Sequence, residues 1–164
     1  MKNITILFDL DETVINSSHR TPNYPDGTLN LDAYIALHTP ENVFKDTLLP
    51  LARTMQACIK AGYTVGILTA RDMHEADYEY LKLNDIAPAL IFSRDRCKTK
   101  EHYAMRDGPY KVEWVRCMSD ELKRGHIVMF DDAKPVKAAL RAIGVTCLCA
   151  HKVNKKLFKQ ARGK

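Results

Sequence analysis

A chain of 164 residues, 46% apolar and 27% charged, is typical of one globular domain with a sizeable core, and its net charge of +5 is modest. No apolar run reaches the roughly 18 residues that span a membrane, and no signal-peptide pattern precedes the first strand, so we expect a cytoplasmic protein with no membrane partner. Five scattered cysteines without a Cys-x-x-Cys pair favour reduced thiols over a disulfide framework or a zinc site.

Short apolar segments alternate with amphipathic segments along the chain. In chain order the predicted elements are a strand over 4–10, a helix over 46–61, a strand over 63–68, a helix over 73–84, a strand over 89–92, a helix over 109–123, a strand over 126–130, a helix over 133–143 and a strand over 145–149. Continuous apolar strands that alternate with helices predict a parallel sheet covered on both faces, which is a three-layer α/β fold.

Two regions stand outside this alternation. The polar segment 16–45 is predicted to be a small insertion that leaves the carboxyl edge of the first strand, where open α/β sheets bind ligands. The segment 151–164 carries lysines and an arginine but no acid, which is typical either of an arm that attracts phosphate or of a solvated helix end. We therefore expect a core over 1–150 that includes the insertion, followed by a basic tail.

Polar side chains follow three of the predicted strands at the points where these strands end. They are Asp9 and Asp11 in DLDET, Thr69 and Arg71 in LTAR, and Asp131 and Asp132 in FDD. Each alone is often a helix cap or a turn residue, but the ends of parallel strands meet at one edge of a sheet. Several carboxylates that lie so close together cannot all stay ionised without a cation, and hard oxygen ligands favour Mg²⁺ over zinc. A carboxylate can also attack phosphorus, so the cluster predicts phosphoryl chemistry.

These motifs, in this order and each after a strand, resemble those of the haloacid dehalogenase (HAD) superfamily of phosphotransferases, over residues 8–149. The resemblance implies a Rossmann-like HAD fold with a small cap and an Mg²⁺-dependent phosphatase that forms an aspartyl-phosphate. It implies that Asp9 is the nucleophile and Asp11 the general acid and base. Both would also face the metal, Asp11 through its backbone carbonyl. Thr69 would bind a phosphoryl oxygen.

The remaining motifs leave two choices open. The resemblance implies that Asp131 and Asp132 hold Mg²⁺, one directly and the other partly through water or lysine. The sequence does not say which of the two is the direct ligand. The motif lysine could be Lys98, Lys100 or Lys111. We favour Lys111, because it begins an amphipathic helix before the FDD strand and can neutralise the nucleophile and the phosphate as a point charge.

Within the superfamily, the chain is most similar to the phosphatase domain of polynucleotide kinase/phosphatases. The similarity rests on Arg71 two residues after Thr69, on Lys111 followed closely by Trp114, and on the FDD motif. Glu12 departs from it, because that family usually has glycine there, and DLDET resembles instead the small carboxy-terminal-domain phosphatases that act on phosphoserine.

The resemblance implies a phosphorylated substrate that Thr69 binds. The positive charges of Arg71 and Arg106 also make them candidate substrate-binding residues that line the approach to the site. The insertion is too short for an independently folded lid, and no G-x-x-x-x-G-K-[ST] loop is present, so we expect a stand-alone phosphatase with an open site for polynucleotide 3′-phosphate ends. The alternatives are a nucleoside monophosphate phosphatase of the 5′-nucleotidase type, a phosphoprotein phosphatase, a phosphotransferase to another acceptor, and a silent phosphate-binding module. The nucleotidase alternative rests on DDAKP, which resembles the DDKP of deoxyribonucleotidases. The oligomeric state stays open.

Overall fold

The protein is described by a computed structural model over residues 4–123 and 125–163; residues 1–3, position 124 and the last residue of the predicted tail lie outside these ranges. The strands are β1 (Ile4–Phe8), β2 (Ile15–Asn16), β3 (Thr47–Leu48), β4 (Thr64–Leu68), β5 (Leu90–Phe92), β6 (His126–Asp131) and β7 (Thr146–Cys149). The helices are α1 (Leu31–Leu37), α2 (Pro40–Val43), α3 (Pro50–Lys60), α4 (Glu75–Leu83), α5 (Lys100–Tyr103), α6 (Asp107–Cys117), α7 (Asp120–Lys123), α8 (Lys134–Arg141) and α9 (Ala150–Arg162).

The main sheet is parallel and has the strand order β5-β4-β1-β6-β7. β1 lies at its centre, and Leu7 and Phe8 are fully buried on opposite faces, which explains why this strand is apolar without alternation. The chain runs outward from β1 to β4 and β5, then returns to β6 on the other side of β1. Ligands bind beside such a reversal of strand order in open α/β sheets.

Helices cover both faces of the sheet. Helices α3, α4 and α9 pack on one face and helices α6 and α8 on the other, and each pair of layers encloses its own apolar cluster. The predicted three-layer, Rossmann-like α/β fold is therefore confirmed. No helix within the two described ranges is long and apolar enough to cross a membrane.

Two helix ends differ from the predicted ones for local reasons. α3 begins at Pro50 and not at residue 46, because β3 precedes it and pairs with β2 in a two-stranded antiparallel ribbon. The helix predicted over 109–123 ends at Cys117, since Met118 takes an extended backbone with ψ of 152° before α7 begins.

The segment 151–164, predicted as a tail beyond the core, forms most of α9 and docks on the core. Val153 and Leu157 pack against the apolar cluster beneath α3 and α4. The buried Asn154 amide accepts a hydrogen bond from the Leu51 N–H at 2.8 Å and donates one to the Thr13 carbonyl at 3.0 Å. These contacts fix α9 to both α3 and the loop after β1, so its basic residues lie along the exposed side of a core helix.

The insertion between β2 and β3 consists of a 3₁₀ turn (Ser18–Arg20), α1 and α2. A buried ion pair joins its two ends, because Arg20 donates to both carboxylate oxygens of Asp46 at 2.9 and 2.7 Å. The β2–β3 ribbon and this pair together close the base of the insertion beside the end of β1.

Candidate active site

Three carboxylates meet where β1 and β6 end. Asp9, Asp131 and Asp132 each offer an oxygen, and these oxygens lie within 4.8 Å of one another. The backbone fixes this meeting, since the Asp9 N–H donates to the Phe130 carbonyl at 2.9 Å, and the Ala133 N–H donates to Asp131 Oδ1 at 2.9 Å. The group lies at the reversal of strand order described above.

Lys111 reaches this group from α6. Its ammonium is 2.8 Å from Asp9 Oδ1 and 2.8 Å from Asp131 Oδ2, and the side chain is only 2% exposed. Burial alone lowers the pKa of Lys111, but the charges of Asp9 and Asp131 outweigh burial and raise this pKa above its usual value. Lys98 and Lys100 are exposed. We call Asp9, Asp131, Asp132 and Lys111 the Asp9 cluster.

The Asp9 cluster carries more negative charge than its lysine balances. Burial raises the pKa of Asp9 to about 8, with help from the charge of Asp131, although Lys111 acts in the opposite direction. Burial and the charge of Asp131 also raise the pKa of Asp132. Three carboxylate oxygens within reach of one point form a donor set that suits a hard divalent cation. The residues present therefore fit the predicted Mg²⁺ ligands, apart from the side chain of Asp11.

Asp11 turns its carboxylate away from the Asp9 cluster. Its oxygens accept hydrogen bonds from Arg71, where Nε lies 3.1 Å from Oδ2 and Nη2 contacts Oδ1, and from the Ser17 hydroxyl at 2.5 Å. Burial alone would raise the pKa of Asp11, but these bonds and the guanidinium charge hold it at about 2. Two carboxyl groups that are two residues apart in sequence thus have opposite pKa shifts.

Glu12 forms the turn that directly follows the two carboxylates. Its φ of 53° lies in the left-handed region, which favours glycine, and this is the position where the resembling family has glycine. The Glu12 carboxylate accepts a hydrogen bond from the Ser17 N–H at 3.1 Å, which gives the strained turn a local anchor. Such a conformation costs a non-glycine residue about 1–2 kcal/mol.

Arg71 is the centre of a second, buried group of charges. Its Nη1 lies 2.5 Å from Asp77 Oδ1, and its Nη2 lies 3.8 Å from Asp46 Oδ2. His38 is 2.8 Å from the other Asp77 oxygen and stacks on His74 at 4.6 Å. We call this group the Arg71 cluster; it consists of Asp11, Asp46, Asp77, Arg20, Arg71 and His38.

The Arg71 cluster contains contacts beside the candidate site that the sequence analysis missed. Arg20, His38 and Asp46 come from the insertion, and Asp77 comes from α4. None of them lies in a recognised motif. One signal in the sequence could have indicated them. The insertion starts at the carboxyl edge of the sheet, where ligands are expected, and it contains arginine, histidine and aspartate.

Thr69 follows β4 and is 1% exposed. Its N–H donates to the Phe92 carbonyl at 2.9 Å, and its hydroxyl accepts a hydrogen bond from the Arg71 N–H at 3.2 Å. The hydroxyl keeps its own proton available for another acceptor. This arrangement leaves Thr69 able to donate to a phosphoryl oxygen.

A cavity of about 600 Å³ opens beside Thr69, between α1 and the segment 103–107. Ala70 and Asp72, which follow Thr69 after β4, line it together with His38 and His74. Arg106 lies at its rim and is exposed, so the structure places this predicted substrate-binding residue in the cavity and not in the Asp9 cluster. The predicted open site is therefore bounded on one side by the insertion, despite its small size.

Sequence comparisons give a family for the chain. Residues 1–163 match the family model described as bacteriophage T5 5′-deoxynucleotidase. The 5′-deoxynucleotidase of Escherichia phage T5 is 32% identical over 165 residues, which cover 91% of this chain and 68% of that protein.

Solved structures share the fold at low sequence identity. A haloacid dehalogenase-like hydrolase from Streptococcus pneumoniae matches with a TM-score of 0.62 and 16% identity, covering 91% of this chain and 85% of that one. The HAD-hydrolase YfnB from Bacillus subtilis, bound to magnesium, matches at 0.60 and 12%, covering 90% and 88%. A chain of the Pnkp1/Rnl/Hen1 RNA repair complex matches at 0.62 and 19%, covering 89% of this chain and 42% of that one. The predicted HAD fold is confirmed.

Proposed function

The chain belongs to the bacteriophage T5 5′-deoxynucleotidase family and is a phosphoric monoester hydrolase, and from this premise we propose that it releases phosphate from deoxynucleoside 5′-monophosphates through Asp9. The observation that carries the proposal is the pairing of Asp9 with Lys111 in a carboxylate cluster at the end of β1. The nucleotidase alternative of the sequence analysis thus takes precedence over the 3′-phosphate end, which stays a prediction.

Asp9, Asp131 and Asp132 would hold Mg²⁺ through carboxylate oxygens. The family resemblance adds the Asp11 backbone carbonyl as a further ligand. The bound ion would supply positive charge that keeps Asp9 ionised and neutralises the phosphate. Lys111 adds a fixed positive charge at 2.8 Å from Asp9, and Thr69 donates its hydroxyl proton to a phosphoryl oxygen. These groups hold the phosphorus in front of Asp9 and offset the negative charge of both reactants.

In the first step an Asp9 oxygen bonds to phosphorus and the bond to the 5′ oxygen breaks, which leaves an aspartyl-phosphate. The 5′ oxygen takes a proton from Asp11 and departs as the alcohol of the nucleoside. In the second step Asp11 takes a proton from water, the resulting hydroxide attacks phosphorus, and Asp9 is released with inorganic phosphate. Asp11 thereby returns to its protonated state.

Asp11 has to leave Arg71 before it can donate a proton. While Arg71 and Ser17 bind its carboxylate, the low pKa of Asp11 keeps it ionised at neutral pH. An entering phosphate dianion offers Arg71 a second anionic partner, and a guanidinium binds phosphate oxygens well. Exchange of Arg71 from Asp11 to the phosphate would free the Asp11 carboxyl group at the moment when the substrate binds.

The proposal is tested by phosphate release with Mg²⁺ from a panel of deoxynucleoside and ribonucleoside 5′-monophosphates, a 3′-phosphorylated oligonucleotide and a phosphoserine peptide. We expect the deoxynucleoside monophosphates to give the highest kcat/KM, and we expect EDTA or Asp9→Asn to abolish release. Preference for the 3′-phosphorylated oligonucleotide would replace the nucleotide by a polynucleotide end. Binding of nucleotide without any release by the wild-type protein would support the silent module instead.

A further inference from the structure

Helix α1 of the insertion presents an apolar face that the protein leaves uncovered. Leu31 and Ile35 are one helical turn apart and are 57% and 62% exposed, and no residue of this helix is buried. Both side chains line the cavity. A seven-residue helix with an exposed apolar face gains little stability from its own hydrogen bonds, so this face has a use other than packing in the core.

The cavity also has aromatic and basic lining residues that come from the core of the fold. Tyr103 is 44% exposed, and its hydroxyl donates to Asp72 Oδ2 at 2.7 Å, which fixes the ring beside the end of β4. Arg94 links the two segments that carry these residues, because its Nε donates to the Ala70 carbonyl at 2.7 Å and its Nη2 to the Met105 carbonyl at 3.1 Å. The guanidinium of Arg106 makes no hydrogen bond or ion pair with the described residues and is exposed, so its charge is available in the cavity.

The cavity and the phosphate-binding groups are continuous. Ala70 lines the cavity and directly follows Thr69, and Tyr34, which also lines it, is close enough for the charge of Asp11 to contribute to its raised pKa. A group attached to a phosphate at Thr69 therefore enters the cavity directly. The volume of about 600 Å³ lies within the range of small-ligand sites and is large enough for one nucleoside.

We propose that this cavity is the nucleoside site of the enzyme, in which a nucleobase lies between the Leu31–Ile35 face of α1 and Tyr103, with Arg106 at the polar edge of the base. The proposal rests on the nucleotide phosphatase function given above and adds the residues that select the substrate. An apolar face opposite an aromatic ring binds the flat faces of a base, and a guanidinium binds the carbonyl oxygens along its edge.

The test compares two substrates in the same variants. Thymidine 5′-monophosphate fills the cavity, whereas acetyl phosphate has no group that reaches it. The kcat/KM for thymidine 5′-monophosphate divided by that for acetyl phosphate therefore measures the contribution of the cavity alone. In Ile35→Ala and Tyr103→Ala we expect this ratio to fall about ten-fold, mainly through KM for the nucleotide. Leu83→Ala removes an equally exposed leucine from the end of α4 and should leave the ratio unchanged.

A different kind of variant adds a large side chain to the cavity and removes no contact. Ala104 is exposed and lines the cavity, so Ala104→Trp should lower kcat/KM for thymidine 5′-monophosphate much more than for acetyl phosphate. Thymidine without phosphate should inhibit the wild-type enzyme competitively and inhibit Ala104→Trp weakly. This loss would show that the nucleoside and not the phosphate is excluded.

The outcomes separate the two proposals. Hydrolysis of nucleotides with an unchanged substrate ratio in all three cavity variants would overturn the nucleoside site and leave the proposed function standing. Hydrolysis of acetyl phosphate without hydrolysis of any nucleotide would overturn both. Equal loss on both substrates would assign these residues to folding and would also overturn the nucleoside site.

Discussion

The Asp9 cluster and the Arg71 cluster lie side by side at the end of β1 and balance their charges differently. In the Asp9 cluster three carboxylates face one ammonium. In the Arg71 cluster three carboxylates are paired with two guanidiniums and with His38. The first cluster keeps an excess of negative charge that suits a divalent cation, while the second is nearly neutral by itself. Under the proposed function, this difference leads us to expect cation binding and attack in the first cluster and the holding of Asp11 in the second.

The two clusters also differ in where their residues come from. Asp9, Asp131 and Lys111 belong to the core of the fold, whereas Arg20, His38 and Asp46 of the second cluster belong to the insertion. In the proposed function, the core thus holds the groups that act on any phosphate monoester. The insertion supplies contacts to Asp11 and, on α1, one wall of the cavity. Substitutions in the two clusters should therefore affect the reaction in different ways.

The largest expected effect is the loss of the nucleophile. Asp9→Asn removes the oxygen that attacks phosphorus and should lower kcat by at least about a thousand-fold on every substrate, because no later step can begin. The measurement is phosphate release with Mg²⁺, with Asp85→Asn as the control at an exposed turn. Residual activity above one tenth of wild type would assign the attack to another group.

Lys111→Met should lower kcat/KM by about a hundred-fold or more on all substrates, because a preorganised charge beside the phosphate is lost. The variant also leaves Asp9 and Asp131 without their shared cation, so we expect Mg²⁺ to raise its melting temperature more than that of wild type. Lys98→Met is the control for an exposed lysine. If Lys98→Met were inactive and Lys111→Met active, the assignment of the site lysine would be reversed.

Asp11→Asn should affect two substrates differently, according to whether their leaving group needs a proton. A nucleoside 5′ oxygen needs a proton to leave, so kcat/KM for a deoxynucleotide should fall about a hundred-fold. The acetate of acetyl phosphate leaves without a proton, and its release from phosphorus should fall only a few-fold in the first turnover. Rapid-quench measurement of that turnover isolates the step. An equal loss for the two substrates would argue against Asp11 as the acid.

Much of the fold could be predicted because the information is local. The apolar run 4–8 and the helix-terminating glycines, such as Gly62 with φ of 74°, specify strands and helix ends within a few residues. The meeting of Asp9 with Asp131 followed from topology alone, since the ends of neighbouring parallel strands share an edge. The docking of α9 was missed, because only a few apolar residues and Asn154, standing among many lysines, make its contacts with the core.

The Arg71 cluster could not be predicted, because its contacts join residues far apart in sequence without a pattern. Arg20 and Asp46 are 26 residues apart, and His38 and Asp77 are 39 residues apart. The polar residues of the insertion that form this cluster follow no periodic pattern that would orient their side chains. For the same reason, α1 was not recognised as a wall of a cavity: its apolar residues are exposed, and pattern analysis assumes that apolar residues are buried.

The Arg71 cluster should make part of the stability depend on acid pH. The pKa of Asp11 is about 2 in the folded protein, below the usual value near 4 in an unfolded chain, so the folded state binds fewer protons between these values. Its contribution of about 2 kcal/mol is complete above pH 5 and is lost as pH falls towards 2. Urea unfolding should show that the stability advantage of wild type over Asp11→Asn shrinks across this range. An advantage that stays constant would contradict the pairing with Arg71.

The smallest effect should distinguish the two aspartates at the end of β6. Asp131 is fully buried and bound to Lys111, whereas Asp132 is half-buried and its backbone carbonyl accepts a hydrogen bond from Lys137 at 2.5 Å. Asp132→Asn should therefore raise the Mg²⁺ concentration for half-maximal activity about ten-fold and leave kcat nearly unchanged at saturating Mg²⁺. Asp131→Asn should also lower kcat, because it releases Lys111 from its position beside Asp9. The opposite pattern would make Asp132 the more important ligand and limit Asp131 to holding the lysine.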